Sequence, residues 1–179
     1  MKGTFPALDA VLLDSDRVKA ATLDRLATDY SPQSSLLRYL VQLAESEEPK
    51  TQIAATALLK RYRERGALFQ EQVVSRLVDL LSARLHWEAT LHLLQMLAEL
   101  PIPPDHAEDL GHSARGLLRH RNTFVRAWAY GALHHLAVVY PEYRSDVSPL
   151  LERAREIEAA SVRARLRQLP PLANVRSDA

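Results

Sequence analysis

The chain contains no cysteine, which excludes disulfides, thiolate nucleophiles and zinc sites built on thiolate ligands. Glycine is scarce as well. There are five in 179 residues, and no Asn-Gly or Asp-Gly turn joins two β-branched runs, so hairpins are not expected. Neither sign of charge dominates, because 23 Lys and Arg stand against 22 Asp and Glu. That balance gives no general pull toward nucleic acid or an anionic membrane, and any charge-based function must come from local distribution. No apolar run approaches the roughly 18 residues of a membrane span. Asp9 also interrupts the N-terminal apolar stretch that a secretory leader needs unbroken. A cytoplasmic chain with no membrane contact is the expectation.

What the chain does have is helical periodicity. Apolar residues recur three and four apart in SLLRYLVQLA, VVSRLVDLL, ATLHLLQMLAEL and LGHSARGLLRH, placing one apolar stripe on each of several helices. Prolines punctuate these segments. Ser31-Pro32 and Ser148-Pro149 have the form of an N-cap followed by proline at the first helical position, Pro49 and Pro103-Pro104 precede helical patterns, and Pro101 and Pro141 follow them. Gly66 closes LLKRYRERG as a residue just past a helix C-terminus does.

Self-similarity organises the segments. With Val125-Arg126 as anchor, VRAWAYGALHHL aligns with segments beginning at Val18, Lys50, His86 and Val162, at spacings of 32, 36, 39 and 37 residues. An aliphatic position (Val18, Val125, Val162), a small or modest one four later (Thr22, Ala54, Thr90, Ala129) and a large one four beyond that (Leu26, Leu58, Leu94, Leu133) share one helix face. A further helical segment precedes each copy, at 7–14, 32–46, 68–84, 104–120 and 149–158. The repeating unit is helix, turn, helix.

The unit length, the Val-Arg or Val-Lys pair opening the second helix and the Ala/Leu pattern after it resemble HEAT repeats, from about Leu8 to Leu172. The Val-Arg pair is missing at Lys50 and His86, and the acidic residue common before it in that family is matched by Asp16 but not at Asn122 or Ala159. The resemblance implies an all-α fold: a right-handed α-solenoid of about five HEAT-like helix pairs in a single domain over 1–172, followed by a short polar tail over 173–179. A two-helix unit of this size cannot bury its apolar faces alone, so neighbours must stack into a continuous core. The RQLPPLANVRSDA end has the character of a cap.

The resemblance also implies that the second helices line a concave side. With Val125, Ala129, Leu133 and Leu136 buried, the neighbouring stripe is Arg126, Tyr130 and His134. Its counterparts are Lys19 and Leu23, then Thr51, Ala55 and Leu59, then Trp87, Leu91 and Gln95, then Arg163 and Arg167. From this row, Trp87, Leu91, Arg126, Tyr130, His134, Arg163 and Arg167 are the expected partner contacts, since exposed aromatics and arginines anchor interfaces. Aliphatic and aromatic in the middle and basic at the ends, the row suits an acidic or amphipathic segment of a protein partner. A non-catalytic scaffold or adaptor is therefore the leading expectation.

Basic helix ends keep a second reading open. Segment 49–66 carries five basic residues and one acidic, and 122–179 carries eight and six, whereas 1–48 carries five and eight. Such ends complement the helix dipole, or contact phosphate as in HEAT-like DNA glycosylases. Those enzymes set an acidic residue among concave aromatics, and only Glu88 stands beside Trp87. A third reading, a chaperone similar to the chromophore lyases with HEAT-like repeats, has no residue arguing for it specifically. Catalytic signatures are missing. His134-His135 face different sides of one helix, His86 and His92 are six apart, and no His-Glu dipeptide of the HEAT-like di-iron hydroxylases occurs. No glycine-flanked serine elbow or Gly-Lys-Ser/Thr phosphate loop occurs either. No metal and no cofactor are expected.

Overall fold

The computed structural model describes residues 5–13 and 18–172. Ten α-helices follow one another: α1 (Pro6–Leu12), α2 (Ala20–Asp29), α3 (Ser34–Ala44), α4 (Pro49–Glu64), α5 (Glu71–Leu81), α6 (Trp87–Leu97), α7 (Ala107–Leu117), α8 (Thr123–Val139), α9 (Arg144–Ile157) and α10 (Ala160–Leu166). Short 3₁₀ turns at Pro104–His106 and Pro141–Tyr143 lead into α7 and α9. No strand occurs among the described residues, and no helix there is long and apolar enough to cross a membrane.

The helices form where the apolar spacing puts them. The segments expected at 32–46, 68–84 and 104–120 contain α3, α5 and α7, and the second-helix register expected from Lys50, His86, Val125 and Val162 coincides with α4, α6, α8 and α10. Gly66 lies just past α4 with φ of 86°, the left-handed conformation that costs glycine least. There Ala67 N–H donates to Tyr62 O and Gly66 N–H to Arg63 O, the paired closure that satisfies the last carbonyls of a helix.

Two proline expectations are corrected. Gln33, not Ser31, precedes α3: Gln33 N–H donates to Ser31 O, and Gln33 itself is extended, so the helix opens at Ser34. Pro149 is interior to α9 rather than at its start. The helix begins upstream because Val147, Leu151 and Ala154 form one buried face, and including Val147 requires the extra turn. Burying that face offsets an interior proline penalty of about 3 kcal/mol. The polar tail expected at 173–179 lies outside the described residues.

Consecutive helices pack in pairs, α3 with α4, α5 with α6, α7 with α8 and α9 with α10. Between pairs, second helices touch second helices in the succession α2, α4, α6, α8, α10, and first helices touch along α3, α5, α7. One core cluster runs through both rows from Leu8 to Leu166. α6 sits at its centre, between α4 and α8 and against α5. Truncating Leu94, fully buried on α6, is expected to lower unfolding free energy by about 2–5 kcal/mol. Leu68→Ala, at a residue 86% exposed in the link before α5, is expected to stay within about 0.5 kcal/mol of the parent, and urea titrations of both variants make the comparison.

Candidate functional site

The outer face of the second-helix row carries an open groove of 780 Å³ between α2, α4 and α6, within the roughly 300–1,000 Å³ typical of ligand sites. Its floor is apolar, with Leu23 from α2 and Ile53, Ala54 and Ala57 from α4. Lys19 and Lys50 stand at the rim, and Arg61, His86, Glu88 and His92 complete the lining. Arg61 is already committed, its Nε donating to Asp24 Oδ1 at 2.7 Å. Among the described residues, Lys19 and Lys50 are thus the cations of the groove without an acid partner. They lie at the starts of α2 and α4, and α6 begins beside His86 and Glu88. Three helix N-termini open on the groove and reinforce its positive potential.

Polar side chains behind the groove lock neighbouring helix pairs in register. Buried Gln52 donates from Nε2 to Ser46 O at 2.7 Å and accepts His86 N–H at Oε1, also at 2.7 Å. Thr56 Oγ1 lies 2.8 Å from Gln52 O and 3.0 Å from His92 Nδ1. With the hydroxyl proton given to Gln52 O, His92 Nδ1–H is the donor to Thr56, which leaves Nε2 as the lone-pair nitrogen of the ring. Burial, with Lys60 and Arg61 nearby, pulls the His92 pKa down to about 4, so the imidazole is neutral at pH 7.

The structure redistributes the row expected one residue beyond the buried stripe. Val125, Ala129, Leu133 and Leu136 are fully buried as expected, but so are Thr51, Ala55 and Leu59, with Leu23, Tyr130 and His134 nearly so. The reason is the number of packing partners. α4 packs against α1, α2, α3 and α6, and α8 against α6, α7, α9 and α10, whereas α6 packs against α4, α5 and α8, so the buried arc of α4 and α8 spans more than one stripe. Trp87 and Leu91 are half-buried against the core, with Trp87 tilted on His86 at a ring separation of 5.7 Å. Arg163 and Arg167 are exposed.

Arg126, Tyr130 and His134 are engaged within the chain. Arg126 grips Glu158 with Nε (3.2 Å to each carboxylate oxygen) and Nη2 (3.0 Å), and its Nη1 donates to His120 O. Tyr130 Oη donates to the same carboxylate at 3.4 Å, and burial, then the nearby carboxylate, raises its pKa. The paired histidines each donate from Nε2 to a carbonyl at 2.7 Å, His134 to Pro170 O and His135 to Leu100 O. Burial lowers the His134 pKa. Among the described residues, no group of three or more His, Asp or Glu is placed to hold a metal ion.

Two residues absent from the expected row stand out. Trp128 of α8 is half-buried, and Arg165 of α10 lies over its ring at 3.9 Å from the centroid. Both are three residues past an anchor valine, Val125 and Val162. The signal was therefore the same offset in successive copies, visible only once the copies are known to stack. Thr56 and His92, and likewise Tyr30 and Tyr62, also share an offset, and each of these pairs is bonded, Tyr62 Oη donating to Tyr30 O at 2.9 Å.

Two outcomes follow. Because unfolded histidine takes up a proton near pH 6.5 and folded His92 only near 4, stability is fully present above 6.5 and falls as pH drops toward 4, by at most about 1.4 kcal/mol per pH unit. His134 adds a dependence of the same sign. His92→Gln is expected to flatten the urea-midpoint profile between pH 7 and 4.5. Arg126→Ala strands the Glu158 carboxylate, and a stability loss of about 1–3 kcal/mol is expected, with Glu158→Gln in the same background recovering part of it. No family model, no curated protein and no solved structure matches the chain.

Proposed function

We propose that this chain is a HEAT-like right-handed α-solenoid of about five helix pairs, and that it serves as a non-catalytic scaffold. It takes an acidic amphipathic segment of a protein partner on its second-helix row. The separate rows of first and second helices support the architectural reading. So do the long-range side-chain bonds, which join residues 28 to 41 apart, about one repeat length. The observation that carries the function is the groove between α2, α4 and α6. It offers Leu23, Ile53 and Ala57 to an apolar stripe and Lys19 and Lys50 to flanking carboxylates, which is the helix-in-groove mode of recognition.

Of the contacts expected from sequence, Trp87 and Leu91 border this face, and Arg163 and Arg167, exposed on and just past α10, lie at the far end of the same row. Arg126, Tyr130 and His134 are not part of the proposed contact, because their polar groups serve the fold.

The probe is a fluorescein-labelled designed helical peptide with leucines at i, i+3, i+4 and i+7 and glutamates on the flanks. Saturable anisotropy is expected at a temperature where both proteins are folded, with at least about tenfold weaker binding to the double variant Lys50→Glu/Ile53→Asp. A lysine-for-glutamate version of the peptide should not bind. Equal binding of both peptides overturns the reading. Labelled duplex DNA, bound with an affinity that falls steeply with salt while the peptide is ignored, replaces it with the nucleic-acid alternative.

A further inference from the structure

Beyond the groove, on the same face, α4, α6 and α8 enclose a smaller notch of 180 Å³. It lies below the range of whole-ligand pockets and is of a size for one side chain or one small anionic group. Arg63, Gln95 and Trp128 line it together with Lys60, Glu64 and Glu99. The charges there are not equivalent. Lys60 is bonded to Glu64 one turn along α4. Arg165, held over Trp128, donates Nη1 to Gln168. Arg63 and Arg165 each have a buried Nε without an acceptor, but Arg63 differs from Arg165 and Lys60 in that none of its guanidinium nitrogens has a hydrogen-bond or ion-pair partner among the described residues. Its two Nη groups stay open to solvent and are the donors left for an acceptor from outside.

We infer that this notch is a carboxylate subsite, in which the Arg63 fork takes the two oxygens of one carboxylate and Trp128, stiffened from behind by Arg165, packs against the methylenes that carry it. Planar bidentate geometry favours carboxylate on guanidinium, and an aromatic wall favours a group with an aliphatic stem, as glutamate has. This deepens the proposed function and rests on it for the identity of the occupant. The groove and the notch adjoin, because Arg61 and His92 line the groove while Lys60 and Gln95, one and three residues away on the same helices, line the notch. Three residues of helix advance about 4.5 Å, so a segment seated in the groove delivers its next acidic residue to Arg63.

Trp87→Phe leaves Trp128 as the only tryptophan and makes its emission a reporter of the notch. In that background, the acidic peptide and, separately, free glutarate are titrated while Trp128 emission and the Arg63 Nε–H signal are followed. Both ligands are expected to move both signals. Arg63→Gln is expected to weaken the peptide about tenfold and to abolish the glutarate response. Arg119→Gln, the same charge change at an exposed arginine just past α7 and outside the second-helix row, should do neither. If the peptide binds in a manner that depends on Lys50 and Ile53 while Arg63 and Trp128 stay silent to both ligands, the groove stands and the subsite is overturned. If glutarate moves Arg63 and Trp128 but the peptide does not bind, the subsite stands and the partner reading fails. Equal losses from Arg63→Gln and Arg119→Gln reduce the effect to general electrostatics and overturn the subsite.

Discussion

Stacking helix pairs buries carbonyl groups at the helix ends, and each of those carbonyls needs a donor from outside its own helix. This constraint organises the molecule. Tyr62 donates to Tyr30 O, at the end of α2. His135 of α8 and Tyr140, the residue that caps its C-terminus, donate to Leu100 O and Ile102 O, past the end of α6. His134 donates to Pro170 O, past the end of α10. In each case the donor stands on a second helix and the acceptor follows its neighbour in the row. Apolar burial supplies most of the driving force but is indifferent to small slips along the helix axis. These directional bonds are not, and they fix how far each pair is shifted against the next.

That fixed shift places the groove and the notch side by side. Gln52, whose amide bridges Ser46 O and His86 N–H, holds the start of α6 against the flank of α4. The positive ends of α2, α4 and α6 consequently open on one groove. Farther along the same helices, the Trp128 and Arg165 contact closes α8 onto α10 and leaves the exposed part of the indole toward Arg63. The groups that hold the pairs together and the groups left over for recognition are thus sorted by one criterion. Arg61, Arg126 and Arg165 have partners inside the chain, whereas Lys19, Lys50 and Arg63 have none among the described residues.

Much of the fold is written in short-range pattern. Three-and-four spacing marks α3, α5 and α6, because amphipathicity is a property of a dozen neighbouring residues. The copies aligned on Val125 locate the second helices for the same reason. What escapes such reading is how many neighbours a helix has. A single-stripe rule left Leu59, Tyr130 and His134 facing outward, yet α4 and α8 each pack against four helices and bury a broad arc. Ser148-Pro149 has the local form of a helix start, but the burial of Val147 outweighs it. The groove was partly legible, since Lys19 and Leu23 were placed on the working face, although Leu23 is its floor and not its rim. The notch was not, because Arg63 carries no mark in sequence that separates it from the paired Arg61 and Arg65 beside it.

Among the described residues, the long-range side-chain hydrogen bonds reach one helix pair along the chain, between 28 and 41 residues. Closing a loop of 41 residues costs only a few tenths of a kcal/mol more than closing one of 28, because that cost grows with the logarithm of length. No pair then has a large entropic advantage over another in docking first, and order can spread in either direction from whichever pair forms. Among the described residues α1 packs mainly on α4, and α10 on α8 and α9, and with fewer packing partners than α4, α6 and α8 these helices are expected to open before them.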